Sequence, residues 1–431
     1  MVAYSAAAIT TAMPQAANEL NGLPLYGLAF AVTMATSVVS MTFAAIWIDK
    51  SGPQKALLTG VSIYVVGLAL AAAAPTMEML VAARALQGIG TGFDSVALYV
   101  AIARVFPAHL RPQMFAALAA AWVLPSIVGP ALSGAVTDHY GWRWVFATVP
   151  VLAAAAAVVV FMGTRGSGIN KPVAVVEPSG SEADGARGPK AWRKPLWAMA
   201  AAAAVLALGD ASARTQPWWA PELAAAVVVL FLAVPKLLPR GTWRAMRGLP
   251  SLVLMRGLIG TAFSISDIYL PLLMIDQRHL PASLAGLSLT VGGVSWSVGA
   301  WLAGRGRIPP RLCLRLGSAA VFLGVLISAL VLWPLMPVWI AWVGWTVAGF
   351  GIGLAYPMQS VVVLERSAPS EQGTNSSALQ LNETLTTSAA LGVIGAVFAS
   401  LIGQGAAGYT VAFAAAAFFA ATAALVSRRT I

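Results

Sequence analysis

Three carboxylic acids lie within long apolar runs of the chain: Asp94, Asp267 and Glu383. A low-dielectric environment favours the neutral form of a carboxyl group, so such an acid can bind and release a proton near physiological pH. Ionisable groups at these depths are costly and by default indicate a functional site. We rank Asp267 first, because it precedes Pro271 by one helical turn, followed by Asp94 and then Glu383, for which structural bonding across helices is the alternative.

Arg84 lies in the same apolar run as Asp94. A guanidinium inside a bilayer normally faces a partner or a wet cavity. Arg84 therefore either belongs to a functional site or ties helices together by bonding to backbone carbonyls. The residues alone leave both interpretations open.

Aromatic and amide side chains in the second half are candidates for contact with a small organic molecule. Trp339, Trp342 and Trp345 recur every three residues, and Trp339 suits an interfacial anchor. We expect Trp345 and Tyr356 to line a substrate cavity, because aromatic side chains suit an amphipathic ligand. Asn382, in the polar stripe that contains Glu383, is the third cavity candidate.

The composition excludes an ordinary soluble protein. The chain is 59% hydrophobic and 10% charged, whereas roughly 25% of the residues in a soluble domain are charged. Apolar runs of about 18 residues or more, enough to cross roughly 30 Å of hydrocarbon, recur along the chain. The sequence therefore predicts an all-α polytopic membrane protein.

No motif points to an enzyme, a metal or a cofactor. The single Cys313 excludes an internal disulfide, and the spacings typical of metal sites do not occur. A Walker-type phosphate-binding motif is also absent from the sequence, which argues against an ATP-driven pump.

Fourteen spans fit the apolar runs. They are 2–18, 24–48, 56–75, 78–103, 112–137, 142–163, 191–210, 217–238, 252–275, 282–304, 312–333, 336–363, 374–403 and 406–427. Because Pro14 leaves few residues for the first span, we expect a start codon assigned too far downstream and a first helix only partly represented.

The basic residues lie mainly on one side of these spans. With the N-terminus inside, 21 of the 24 Lys and Arg residues in loops fall on the cytoplasmic side, the exceptions being Arg143, Arg214 and Arg278. This asymmetry follows the positive-inside rule, so the net charge of +11 indicates topology and not nucleic-acid binding. We expect a monomer embedded in the lipid bilayer of the plasma (inner) membrane, with both termini cytoplasmic.

The two halves of the chain resemble each other. Gly88, Gly90 and Gly92 match Gly349, Gly351 and Gly353, Pro14 matches Pro271, and GWRWVFA from Gly141 matches GYTVAFA from Gly408. Transporters often contain such repeats, although glycines recur in any membrane bundle because they let helices approach closely.

These correspondences predict two six-helix bundles, at 1–163 and 250–431. A hydrophilic cytoplasmic linker occupies 164–194. Two additional helices and a basic loop occupy 191–249, with the inserted helices themselves at 191–238.

The loop sequence AIWIDKSGPQK from Ala45 resembles the loop between the second and third helices of the major facilitator superfamily. Asp49, Lys50, Gly52 and Lys55 fit that family's pattern, whereas Ala45 stands where its first Gly would be. We interpret the loop as a latch at the inner gate, with Asp49 pairing with a basic residue or a helix N-terminus. The matching loop of the second half, GRGRIPPR from Gly304, has no acid.

Two further motifs extend the resemblance. Arg84, Gln87, Gly88 and Gly90 occupy the places of the family's fourth-helix motif, which implies that Arg84 influences proton transfer. The run WVLPSIVGPALSGAV is similar to the fifth-helix motif of the exporter branches.

In that fifth-helix run, Gly129, Pro130 and Gly134 match the exporter motif, while Pro125 and Ser133 replace two of its glycines. The resemblance implies export by a 14-helix drug:proton antiporter. It also implies that Asp94 and Asp267 face a central cavity. Ser5 stands where that branch often has an Asp, which puts its standard proton relay in doubt.

The sequence thus predicts a proton-coupled transporter that exports small amphipathic organic compounds or drugs by alternating access. One alternative is an exporter or importer of a single metabolite or lipid. A second, from another class, is a non-transporting membrane scaffold or sensor, against which the cost of the intramembrane charges argues.

Overall fold

The computed structural model describes residues 2–105, 129–148, 150, 193–213, 219–237, 241–367 and 372–430. The first half contains α1 (Val2–Glu19), α2 (Tyr26–Ser51), α3 (Pro53–Ala72) and α4 (Met77–Val105), followed by helical segments 129–140 and 142–148. A hairpin follows, formed by α5 (Arg193–Ala213) and α6 (Trp219–Leu237). The second half contains α7 (Leu249–Asp276), α8 (Ala282–Gly304), α9 (Pro310–Ala329), α10 (Trp339–Arg366), α11 (Gln372–Ser400) and α12 (Ala407–Val426).

A helical segment lies at each of the fourteen predicted spans, which confirms the predicted all-α fold of two six-helix bundles with two additional helices. Within the described residues, eight helices are long and apolar enough to cross a membrane by length and composition. The hairpin helices contain shorter apolar stretches, Leu196–Val205 and Ala224–Ala233.

The glycine triplets of α4 and α10 make the same contacts in the two bundles. Cβ atoms added at Gly88 and Gly92 would meet α2, and one at Gly90 would meet α3. In the second bundle the same test places Gly349 and Gly353 against α8, and Gly351 against α9. Because both triplets hold the central helix against the same two neighbours, the predicted repeat extends to the packing.

Helix direction alternates along the chain and defines two faces of the molecule. The basic face contains the end of α2, the start of α7 and the α8–α9 loop, and includes Lys55, Arg247 and Arg366. The opposite face contains the end of α1, the start of α8 and the α11–α12 loop, and includes Glu19, Asp138 and Asp276.

The α5–α6 hairpin packs where the two bundles meet. Its first helix contacts both α2, from the N-terminal bundle, and α11, from the C-terminal bundle. Small side chains make this approach possible, because Ala198, Ala201 and Ala202 face the two helices around a small apolar space.

Candidate functional site

The two bundles meet most closely where α2 crosses α11. A Cβ atom added at Gly27 would lie 2.6 Å from the Cα atom of Gly395, so only glycine permits this approach. Deeper in the molecule, the Ser388 hydroxyl donates to the carbonyl oxygen of Ala31 at 2.9 Å. These contacts hold the bundles together from the opposite face to about mid-depth.

A tyrosine from α2 closes the neighbouring contact with α7. The Tyr26 hydroxyl donates to the carbonyl oxygen of Ile268 at 2.8 Å, and its ring lies 5.8 Å from that of Tyr269. Tyr26 and Tyr269 are both fully buried. The contact therefore seals this part of the interface between the bundles.

Asp267 adjoins that contact. It directly precedes Ile268 on α7, the residue whose carbonyl oxygen accepts the hydrogen bond from Tyr26. It is half-buried and forms no hydrogen bond with the described residues. The structure therefore places Asp267, the first-ranked acid, where the bundles touch. Its position near Pro271 in the sequence does not by itself indicate this contact.

A second contact between the bundles involves the helical segment 129–140 and the start of α8. The two oxygens of Asp138 accept hydrogen bonds from the backbone N–H groups of Ala282 (2.9 Å) and Ser283 (3.0 Å). Helix α8 has no side-chain cap of its own, because Pro281 occupies its N-cap position. Asp138 therefore caps a helix of the other bundle.

The predicted exporter motif lies directly beneath this cap. A Cβ atom added at Gly134 would lie 2.6 Å from the Cα atom of Ser283, and one added at Gly286 would lie 2.6 Å from the carbonyl oxygen of Pro130. Gly129 belongs to the same segment and is buried. The motif thus packs the fifth helix against α8 across the two bundles.

Glu383 occupies an ion pair within the C-terminal bundle. Its Oε2 atom accepts a hydrogen bond from Arg256 Nε at 2.6 Å, and its Oε1 atom accepts one from the Tyr356 hydroxyl at 2.7 Å. The Arg256 guanidinium also lies 3.3 Å from the centroid of the Tyr356 ring. The side chains of Arg256 and Glu383 are 17% and 24% exposed, so the pair is accessible from the interior surface of the bundle.

An aromatic cluster supports this ion pair from behind. Trp296 packs against both Tyr356 and Phe263, with ring centroids 5.7 and 5.6 Å apart, and Phe263 stacks on Trp345 at 4.5 Å. Trp345 is only 1% exposed. In this conformation it is a packing residue of the C-terminal bundle and not the cavity-lining residue that the sequence predicts.

Asn382 has a tethering position. Its amide donates to the carbonyl oxygen of Val253 at 2.6 Å and accepts from Thr386 at 3.2 Å. Because Asn382 is buried at 1% exposure, it joins α11 to α7 and does not line an accessible surface. Of the three cavity candidates, only Tyr356 touches an accessible ionisable group.

Asp94 lies inside the N-terminal bundle. Its carboxylate abuts Gly60 of α3, where an added Cβ atom would collide with Oδ1. That oxygen is buried and has no hydrogen-bond partner among the described residues. The structure therefore places Asp94 between α3 and α4, away from the contacts between the bundles.

Arg84 bonds mainly to its own bundle. Its Nε donates to the carbonyl oxygen of Ala29 at 3.1 Å, and its Nη1 donates to Gln87 at 2.7 Å. Gln87 in turn donates to the carbonyl oxygen of Gly67 at 3.2 Å. Arg84 thus ties α4 to α2 and, through Gln87, to α3. This is the arrangement expected if Arg84 joins helices by bonding to backbone carbonyls.

The predicted gating loop is described in part. Gly52 separates α2 from α3 with a φ of +81°, a left-handed conformation that favours glycine. Lys55 is exposed in the first turn of α3. The side chains of Asp49 and Lys50 lie outside the described residues, so the latch at Asp49 stays a prediction.

A charged contact at the opposite face joins three parts of the N-terminal bundle. Arg143 forms an ion pair with Glu19, and Trp142 Nε1 donates to the same carboxylate at 2.8 Å. The hydrogen bond from Arg143 lowers the pKa of Glu19, with a further contribution from Trp142. Arg143 also reaches the carbonyl oxygen of Ala74 at the end of α3.

Sequence reasoning missed Arg256 and Asp138. The signal for Arg256 was available, since it and Arg84 are the basic residues that lie more than one helical turn from either end of a predicted span. No comparable signal marks Asp138, because its partners are backbone N–H groups 144 and 145 residues further along the chain.

An all-α bundle pair with paired internal repeats and ionisable groups at its centre is the architecture of a secondary transporter. The sequence model of the Major Facilitator Superfamily matches residues 1–391. The chain belongs to the major facilitator superfamily.

Relatives and solved structures agree with this assignment. A probable multidrug-efflux transporter of Mycobacterium tuberculosis is 26% identical over 407 residues, covering 89% of this chain and 82% of the relative. Multidrug resistance protein 3 of Bacillus subtilis is 30% identical over 138 residues, covering 32% of this chain and 27% of the relative.

Among solved structures, a POT family transporter in complex with 5-aminolevulinic acid superimposes with a TM-score of 0.69. The two chains are 13% identical, and the match covers 99% of this chain and 91% of the other. At this identity the likeness shows the fold alone. The chain is therefore a multi-pass membrane transporter of the major facilitator type and not an enzyme.

Proposed function

We propose that this protein is a proton-coupled antiporter that exports small amphipathic organic compounds by alternating access. The observation that carries the proposal is the position of Asp267, an acid without a hydrogen-bond partner among the described residues, beside the Tyr26–Ile268 contact between the bundles. The mycobacterial relative, a probable multidrug-efflux transporter, supports the substrate class.

The moving units in this proposal are the bundles at 1–163 and 250–431, joined by the linker at 164–194 and the inserted region at 191–249. Rocking the bundles apart at the opposite face breaks the Tyr26–Ile268 bond and the Asp138 cap, and it exposes Asp267 on that side. Proton binding there removes a negative charge from an apolar site and changes the relative free energies of the two conformations. A proton that moves through 100 mV releases about 2.3 kcal/mol, enough to drive export.

Glu383 is the second coupling candidate. A proton that binds its carboxylate, or an organic cation that pairs with it, weakens its attraction for Arg256. The burial of Asp94 against α3 favours a packing role for that acid, so we rank it below Glu383 here.

The charge distribution supports the orientation of this transporter. With the basic face in the cytoplasm, the described contacts between the bundles close the extracellular half, and the Arg256–Glu383 pair lies in the half nearer the cytoplasm. We propose a monomer in the plasma (inner) membrane with both termini in the cytoplasm.

Inside-out vesicles test the coupling, with ethidium as the transported probe. Asp267→Asn is expected to abolish accumulation driven by a pH gradient while retaining exchange of ethidium across the membrane without a gradient. Asp94→Asn serves as the matched control and is expected to accumulate ethidium as the parent does. Gradient-driven accumulation by Asp267→Asn at the parental level would overturn the assignment of Asp267, and no gradient-driven flux in the parent would overturn proton-coupled export.

A further inference from the structure

Four arginines border the loop between α8 and α9 on the basic face. This arginine cluster consists of Arg305, Arg307, Arg311 and Arg315, all of which are exposed. No hydrogen bond or ion pair joins Arg307, Arg311 or Arg315 to the described residues. The chain also contains no acid between Asp276 and Glu365, so α8, α9 and the loop between them hold no acid that could neutralise the cluster.

The start of α9 adds to the unbalanced positive charge. The helix begins at Pro310 after an N-cap Pro309, with no side-chain cap and no acid in its first turn. The N–H groups of Leu312 and Cys313 donate to the carbonyl oxygen of Pro309, so the N–H of Arg311 is the one left over in the first turn, and the helix terminus carries partial positive charge. Arg311 and Arg315 lie in the first two turns, where basic side chains are unfavourable unless an anion is present.

The corresponding turn of the first half is balanced differently. There α3 also begins with a proline, Pro53. The last turn of α2, directly before it, contains an acid, Asp49, next to Lys50. The unneutralised cluster is therefore a property of the second half and not of the repeat.

Exposed apolar side chains adjoin the arginine cluster. The Arg305 guanidinium lies 3.5 Å from the ring centroid of Trp301, which is 55% exposed. Leu312 and Leu316 follow Arg311 and Arg315 along α9 and are also exposed. A free inorganic anion would use only the arginines, whereas a lipid would use both surfaces.

We propose that the arginine cluster binds the phosphate of an anionic phospholipid, whose acyl chains lie along the exposed side chains of α8 and α9. The arginines supply charge-assisted hydrogen bonds to the phosphate. The N-terminus of α9 supplies the backbone N–H of Arg311 and the positive end of the helix dipole. Basic clusters at the cytoplasmic surface of a membrane attract anionic lipids for the same reasons.

Lipid binding to the purified full-length chain in detergent tests this site. Native mass spectrometry would count retained dioleoyl phosphatidylglycerol, and thermal unfolding would be followed with added phosphatidylglycerol or phosphatidylcholine. We expect one selectively retained phosphatidylglycerol and a higher unfolding midpoint with that lipid alone. Arg311→Gln combined with Arg315→Gln should weaken this binding roughly 30-fold, because each basic residue near an anionic lipid contributes about 1 kcal/mol and 1.4 kcal/mol is tenfold.

Lys236→Gln combined with Arg244→Gln is the matched control, because it removes two exposed charges from the same face on segments that pack against α5 and α7. We expect it to retain the parental affinity to within about twofold. Equal losses in the two double variants would overturn the proposal in favour of diffuse attraction. Equal effects of the two lipids on the unfolding midpoint of the parent would also overturn it. The same holds if inorganic phosphate alone stabilises the parent as much as phosphatidylglycerol does, or if the acidic linker residues Glu177, Glu182 and Asp184 compete with the lipid for the arginine cluster.

Discussion

At the scale of single residues, the ion pair between Arg256 and Glu383 carries a large desolvation cost. Both groups are removed from most of the water that would otherwise solvate them, and a buried pair recovers that cost only when its geometry is good and its remaining oxygens are bonded. The Tyr356 hydroxyl meets this need by donating to the second oxygen of Glu383. The three side chains therefore form one unit whose members depend on each other.

A double-mutant cycle tests this dependence. Glu383→Gln and Arg256→Gln should each lower the free energy of unfolding by about 1–2 kcal/mol, because each leaves a partly buried charge without its main partner. The variant with both changes should be more stable than the sum of the single losses predicts, with a coupling energy of about 1 kcal/mol. Thermal unfolding of the purified variants measures these free energies. If the losses of the two single variants simply added in the double variant, the three side chains would not form one interdependent unit.

The candidate site was only partly predictable at this scale. The apolar runs identified the acids correctly as residues within spans, because charge in such a run is conspicuous. Which side of a helix faces the other bundle is not readable, since a helix that is apolar all round has no amphipathic stripe. Trp345 and Asp94 illustrate this limit, because both lie within a bundle.

At the scale of elements, the start of α8 depends on a residue from the other bundle. Its N-cap is Pro281 and its N–H groups at Ala282 and Ser283 are satisfied by Asp138. A carboxylate at a helix N-terminus is stabilised by the hydrogen bonds and by the helix dipole. Because donor and acceptor belong to different bundles, this stabilisation exists only while the opposite face is closed.

We therefore expect Asp138→Asn to shift the molecule toward the conformation open at the opposite face. Loss of the charge should change the equilibrium by about 1 kcal/mol, or roughly fivefold in population. Spin labels at Tyr140→Cys and Gln404→Cys, both exposed positions at that face, would report the distance between bundles in a Cys313→Ala background.

Asp276→Asn is the control for this experiment, because Asp276 accepts a hydrogen bond from Tyr409 within one bundle. It should leave the distance distribution of the label pair unchanged. Indistinguishable distributions for Asp138→Asn and the parent would contradict a gating role for the cap.

At the scale of the whole molecule, the sequence predicted the architecture well. Hydrophobic length determines where helices cross the bilayer, and matched glycine triplets determine which helices are central to each bundle. The position of the inserted hairpin was not predictable, because α5 and α6 are apolar on all sides and have no polar face that would orient them. In the structure α5 contacts α2 and α11, one helix from each bundle.

That position makes the hairpin sensitive to the relative movement of the bundles. Ala202 is buried in the small apolar space that α5 shares with Val38 of α2 and with Leu385 and Ser388 of α11. Ala202→Leu should overfill this space at a cost of about 1–3 kcal/mol and separate α2 from α11 near the Ser388–Ala31 hydrogen bond. The same spin-label pair should then show a larger open fraction, whereas Ala203→Leu, at an exposed position of α5, should not. If the two leucine variants gave the same distances, the hairpin would cover the bundles without influencing how they move.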